Sequence, residues 1–484
     1  MTERTWHGHW WIPGREDDGR QPGTLTVSAD GEIILTLVGG FDLSVQTALE
    51  DGSMAVSIHG EPVPLLLGQC ESVEITLVDC YTKHSRGVFG FGTPTFHVLG
   101  AGRALIGMHL MDRDAPVFKS AHLTFENLMT WLQTNGLEQS ADYDNKSATV
   151  QFTSPEILEA EVAGWRIKAS TVFSGFQFRE RRGKASVEGD ARPVIAVTSD
   201  HPISFNGFDD ISKAFMDLLT LASGEASGVI STVLVRQRPT VHSGDDGEES
   251  LLYPKTIDVF AQHTHSPRPD ASPQESRRFL FTCEDMPFDK LVAAWLPLRM
   301  KTLAASDVLF GLQYARPGFT ETRLLSAAVA AESLHRTVYG SAPAMSESRF
   351  AALRETVLEA LDDPDDQLWV KERLHNQLSY KDRLLDLANR PAPEAVDRII
   401  PDRAQWAKEL RDARNGLAHT GSGADVTFDM FDLVEVTIFL LYLVLLKELG
   451  LSDEVQIKAV RQNEYLSSLR SRRPSKARRN PQAS

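Results

Sequence analysis

Apolar and polar residues alternate along the first part of the chain, to about residue 300, and then take up helical spacing. GTLTVSADGEIILTLVGG (23–40) alternates on both sides of Asp30-Gly31, which predicts a β-hairpin. ESVEITLVDC (71–80) and PTFHVLGAGRALIGMHL (94–110) continue as short strands broken by glycine, and SATVQFTSPE, WRIKASTVFSGFQFRER and ARPVIAVTSD follow in the same style. Two helices are expected within this region, LTFENLMTWLQTNGL (123–137) and FDDISKAFMDLLTLASGE (208–225). From TRLLSAAVAAESLHRTVYG (322–340), which Gly340 should stop, the pattern predicts roughly five helices up to residue 455. The expected fold class is therefore α+β and multidomain. A β-rich region covers 1–300, with two subdomains divided near 150; an all-α bundle covers 305–455; a basic, disordered tail covers 456–484.

At 484 residues the chain exceeds a single ordinary core, in keeping with several domains. Its net charge of −16 argues against broad nucleic-acid binding but leaves room for a local basic site. Cys70, Cys80 and Cys283 are too few and too dispersed for a zinc site or a disulfide framework, which implies a reduced, cytoplasmic setting. VTIFLLYLVLL (436–446) is the most apolar run, about half the roughly 20 residues of a membrane span. Flanked by Asp432, Glu435, Lys447 and Glu448, it is read as a buried core helix or half of a dimer interface, and no membrane partner is expected.

Candidate chemistry sits just before that run, in RDARNGLAHTGSG (411–423). Asn415 and His419 share one helix face, and the long side chain of Arg414 reaches round to it. His419 precedes Thr420 and Gly421, at the negative pole of a helix, where an imidazolium is favoured. A histidine that moves protons beside a guanidinium that offsets phosphorane charge suits phosphodiester cleavage. The competing reading is a spare polar helix face. No cluster with metal-ligand spacing accompanies the pair, so the chemistry read here is metal-independent and needs no cofactor. That points to RNA, whose 2′-hydroxyl is a built-in nucleophile and yields a 2′,3′-cyclic phosphate and a 5′-hydroxyl.

Arg-Asn-x-x-x-His at 414–419, between two long helices, resembles the signature of HEPN domains, in which a polar residue follows the arginine. AAESLHRTVYG (330–340) and QLSYKDRLLDL (377–387) are similar to the same group, and GHWWIPG with GTLTVSADGEIILTLVGG resembles the opening of the ApeA-type family of bacterial anti-phage proteins. The resemblance spans most of the chain. It implies a homodimer that brings two copies of the motif across one cleft, with Arg414 and His419 catalytic and Asn415 supportive. Glu332 would orient the arginine or the histidine; its plainer reading is an exposed pair with Arg336 at i, i+4. The function implied is an abortive-infection ribonuclease acting on a cellular RNA such as a tRNA, with the N-terminal region sensing a phage-derived trigger. The alternative is a non-catalytic HEPN-like module for dimerisation or ligand binding.

Other features carry less. His263 and His265 lack a third metal ligand nearby and read as a loop; GVFGFGTPTF (87–96) lacks the Lys-Ser/Thr of a phosphate loop. Trp10 and Trp11 are read first as core, and DDPDD (362–366) as a solvated inter-helix turn.

Overall fold

The computed structural model describes residues 3–15, 19–43, 45–48, 54–57, 61–86, 95–236, 255–268, 271–315, 318–340, 343–420 and 429–463, the side chains of 45–48, 54–57 and 418–420 excepted. The glycine-rich run 87–94, the acidic loop 244–250, the break after Thr420 and the basic stretch 464–484 lie outside the described residues. Two compact units emerge, one of residues 1–220, 227–274 and 287–293, the other of 221–226, 275–286 and 294–484.

The first unit carries β1 (Arg4–Trp11), β2 (Gln21–Val27), β3 (Ile33–Val38), β4 (Val45–Ala48), β5 (Met54–Ser57), β6 (Val63–Cys70), β7 (Val73–Arg86), β8 (Phe96–Ile106) and β9 (Phe118–Phe125). After α1 (Leu128–Leu132) come β10 (Leu137–Asp142), β11 (Ser147–Phe152), β12 (Leu158–Val162), β13 (Trp165–Arg181) and β14 (Lys184–Ile203). Then follow α2 (Phe205–Ser223), β15 (Val229–Arg236) and β16 (Lys255–Ala261). Twelve strands form one antiparallel sheet, and pairing of β7 with β8 closes β8-β3-β2-β1-β6-β7 into a barrel. β8 is shared: residues 96–101 pair with β3, residues 103–106 with β16, which leads on to β15, β9, β14, β13 and β12. The twelve-stranded sheet thus draws strands from both sides of residue 150, which itself lies in β11, paired with β10 in a separate two-stranded sheet. β9 lies between β14 and β15.

The β2–β3 hairpin forms as its alternation predicts. Gly31 adopts φ +85°, a conformation that suits glycine, and donates its N–H to Ser28 O at 3.1 Å. Trp10 fills the barrel core, fully buried, with Gly68 directly opposite on β6. Cys70 and Cys80 are buried in the same core as free thiols; burial pushes the Cys70 thiol up to about 11 and Cys80 higher still. α2 packs on the sheet through Phe208 against Trp165 and Phe215 against Phe125. The helix expected at 123–137 is shorter. Leu123 and Phe125 alternate inward as the end of β9, and left-handed Asn127 and Gln133 bracket a helix of five residues. His265 donates to Glu126 at 3.1 Å, and the same carboxylate accepts N–H groups of Gly228 and Arg268, so this histidine clasps a loop.

The second unit is helical: α3 (Phe288–Lys301), α4 (Leu303–Tyr314), α5 (Thr320–Tyr339), α6 (Glu347–Glu359), α7 (Pro364–Arg373), α8 (Tyr380–Ala388), α9 (Pro393–Ile399), α10 (Arg403–Thr420), α11 (Met430–Glu448) and α12 (Asp453–Gln462), α3 beginning in the first unit. Among the described residues, 303–462 therefore holds nine helices rather than roughly five. Polar starts cut the chain finely. Asp363 caps α7 by accepting from Asp365 N, Ser379 caps α8 by accepting from Asp382 N, and Pro393 opens α9. α12 carries order past residue 455, burying Ala459 and Val460.

α11 decides the alternatives left open for 436–446. Every residue from Val436 to Leu446 is buried within the single chain, so this segment is a core helix and offers no interface. It packs on α5, α9 and α12. Tyr442 stacks with Phe310 of α4, and Trp406 Nε1 donates to Thr437 Oγ1 at 3.1 Å. A second network joins α5, α8 and α11: buried His335 donates from Nε2 to Asp386 at 2.9 Å, and Arg390 donates to the same carboxylate at 2.6 Å. The Arg390 guanidinium lies 4.1 Å from the Tyr339 ring centre, and Tyr339 donates to Glu448 at 2.8 Å. Burial depresses the His335 pKa, outweighing Asp386, with Arg383 and Arg390 acting in the same direction as burial. Asp386 is held below the ordinary carboxylate range, because burial is outweighed by Arg390 and His335.

Two outcomes follow. A methyl group added at Gly68 would meet the Trp10 ring at 2.3 Å, so Gly68→Ala should destabilise the barrel by about 1–3 kcal/mol, read as an earlier first transition in urea. The depressed His335 stabilises the fold above the ordinary histidine value of 6.5, and that contribution is lost as pH falls below it. Asp386 stays charged through this window. The thermal midpoint of the helical unit should therefore fall between about pH 7 and about pH 5, less steeply in His335→Gln; equal slopes would contradict the assignment.

Candidate active site

The buried face of α10 is Trp406, Ala407, Leu410 and Ala413, a helical stripe against the core. Arg414 and Asn415 come next in the chain, so they stand at the border of that stripe, half-buried. The Arg414 Nη1 donates to Asn415 Oδ1 at 3.2 Å, and the guanidinium carbon lies 5.3 Å from the centre of the Tyr380 ring. Tyr380 is the first residue of α8, directly after the Ser379 cap, and its hydroxyl donates to Ala328 O of α5 at 3.3 Å. Burial holds the Tyr380 phenol well above its usual range, with Arg414 pulling it down and Glu332 adding to the rise. At neutral pH the ring is therefore uncharged.

Three of the four residues read from the sequence can be placed with their side chains. Arg414 and Asn415 are together. Glu332 on α5 meets Arg336 at 2.8 Å, one helical turn on, and also the buried Arg383 of α8 at 3.4 Å. Arg383 reaches Gln377 at 3.4 Å as well. His419 lies on the last turn of α10, which ends at Thr420; its side chain falls outside the described residues. Tyr380 and Arg383 escaped the sequence reading as individual residues, although both lie within QLSYKDRLLDL. No signal local to 411–423 could have shown that an aromatic from α8 meets Arg414, because that contact is made by the tertiary packing of α8 on α10.

What the arrangement offers is a guanidinium held by a neutral ring and an amide oxygen, neither of which cancels its charge. Such a group can meet a phosphate through two parallel N–H donors. Among the described residues there is no group of three or more His, Cys, Asp or Glu placed to hold a metal ion, and no helix long and apolar enough to cross a membrane.

No curated protein and no solved structure matches the chain. Two family models do: ApeA N-terminal domain 1 over residues 5–295 and Apea-like HEPN over residues 325–455. The first covers more than half of the sequence, and the second takes in α5 from residue 325 onward and all of α8, α10 and α11, with Glu332, Arg336, Tyr380, Arg383 and Arg414. A β-rich region of one kind followed by a helical domain of the other places this chain in the ApeA-type family of HEPN-containing proteins.

Proposed function

We propose that the chain is an anti-phage endoribonuclease whose HEPN domain cuts RNA without a metal. The observation that carries this reading is Arg414, a guanidinium free of carboxylate partners among the described residues, set five positions before His419 in the Apea-like HEPN match. In the proposed reaction the substrate 2′-oxygen attacks the adjacent phosphorus while one His419 takes the 2′-hydroxyl proton. The bond from phosphorus to the 5′-oxygen breaks as a second His419, from the other copy of a homodimer, returns a proton to it. Arg414 offsets the charge on the non-bridging oxygens in between. The products are a 2′,3′-cyclic phosphate and a 5′-hydroxyl. Asn415 supports Arg414 through its side-chain oxygen.

The dimer interface in this reading uses surface other than 436–446, since that segment is spent on the core. The N-terminal region acts as the sensor of a phage-derived trigger, and a tRNA is the candidate substrate. Glu332 enters as a support one step removed, through Arg383 and Arg336.

Arg414→Ala and His419→Ala should each lower RNA cleavage by about 10²–10³-fold and remove phage protection, leaving the fold and oligomeric state as in wild type. The check is sequencing of RNA ends from infected cells, alongside cleavage of total RNA by purified protein with EDTA. Cyclic-phosphate ends that vanish in both variants support the reading. Full protection by both variants, or no cleavage with phage lysate added, favours the non-catalytic module instead.

A further inference from the structure

We propose that Tyr380 is a positioning residue for Arg414, fixing the direction of the guanidinium by presenting the face of its ring to it. The inference rests on the catalytic reading of Arg414 and adds to it a residue from a different helix.

An arginine side chain has several freely rotating bonds, so a guanidinium at the edge of a helix samples many directions unless something holds it. Asn415 cannot do so alone, being the next residue and itself able to rotate. Tyr380 is fixed at both ends. Its backbone starts α8 directly after the Ser379 cap, where Asp382 N donates to Ser379 Oγ at 3.2 Å. Its far end is tied across to α5 by the hydroxyl bond to Ala328 O. Between these anchors the ring face lies 5.3 Å from the Arg414 guanidinium carbon, within cation–π range. Burial keeps the phenol protonated, so the ring acts as an uncharged negative face at working pH.

The nearby carboxylate is engaged elsewhere. Glu332 contacts Arg336 and Arg383, which leaves the arginine charge intact for a phosphate. A guanidinium already aimed reorganises little as charge builds on the phosphorane, so loss of the ring should act on kcat more than on KM.

The test uses the full chain and cleavage of a defined RNA, activated by lysate of phage-infected cells. Tyr380→Leu should lower kcat roughly five- to thirtyfold with KM changed less than about threefold, and Tyr380→Phe, which keeps the ring, should restore kcat to within about threefold of wild type. Phenylalanine analogues with successive ring fluorines at position 380 keep the shape while draining the negative face, and kcat should fall with each fluorine. The double variant Arg414→Ala with Tyr380→Leu should be no slower than Arg414→Ala, because the ring acts through the arginine. If Arg414→Ala is inactive while the fluorinated series and Tyr380→Leu stay at the wild-type rate, the positioning role is overturned and the catalytic reading stands. If Tyr380→Leu does not fold, the fluorinated series decides by itself. If Arg414→Ala cleaves like wild type, the catalytic reading fails, and the positioning role with it.

Discussion

The helical unit is organised by a single constraint: α11 is apolar on every face and must be wrapped on every face. Thirteen of its residues are buried, and each large apolar side chain among them contributes about 1.5–3 kcal/mol when removed from water. No single neighbour can cover such a helix, so α4, α5, α9, α10 and α12 gather round it. Two of its polar side chains have partners close by. Thr437 donates to Leu433 O and accepts from Trp406, and Glu435 accepts from Arg323 of α5 at 2.6 Å. Because Trp406 is both buried and hydrogen-bonded to α11, the rotation of α10 about its own axis is fixed. Arg414 lies eight positions further on, about 80° round the helix from Trp406, which places it at the flank of the packed face and within reach of α8.

Much of this was legible from spacing. The β2–β3 hairpin, α2, α5 and α11 depend on patterns contained within their own segments, and each forms where its pattern lies. The segment 123–137 misleads because its apolar residues satisfy two periods at once. Leu123 and Phe125 fit a strand; Leu128, Trp131 and Leu132 fit a helix, and left-handed Asn127 divides them. Barrel closure and the insertion of β9 between β14 and β15 are long-range pairings that no local window contains. The candidate site divides in the same way. Arg414 beside Asn415 and Glu332 beside Arg336 are neighbours along one helix and could be read directly; Arg383 and Tyr380 reach the cluster only through the packing of α8.

Within that cluster the choice of partner for each charge matters more than the number of charges. A buried arginine left unpaired is strongly destabilising, and Arg383 is nearly fully buried. Glu332 answers that need, and its link to Arg336 on the adjacent turn holds the carboxylate in place. Had Glu332 paired with Arg414 instead, the same carboxylate would have left Arg383 uncompensated and would have cancelled the charge that a phosphate requires. A ring solves the second problem in a way that a carboxylate cannot. It attracts the cation through its face and occupies none of its five N–H donors, leaving the planar fork open at its edge. Structural ion pairing and the proposed phosphate chemistry are thereby divided between two residues one turn apart on the same face of α8: Arg383 meets Glu332, while Tyr380 meets Arg414.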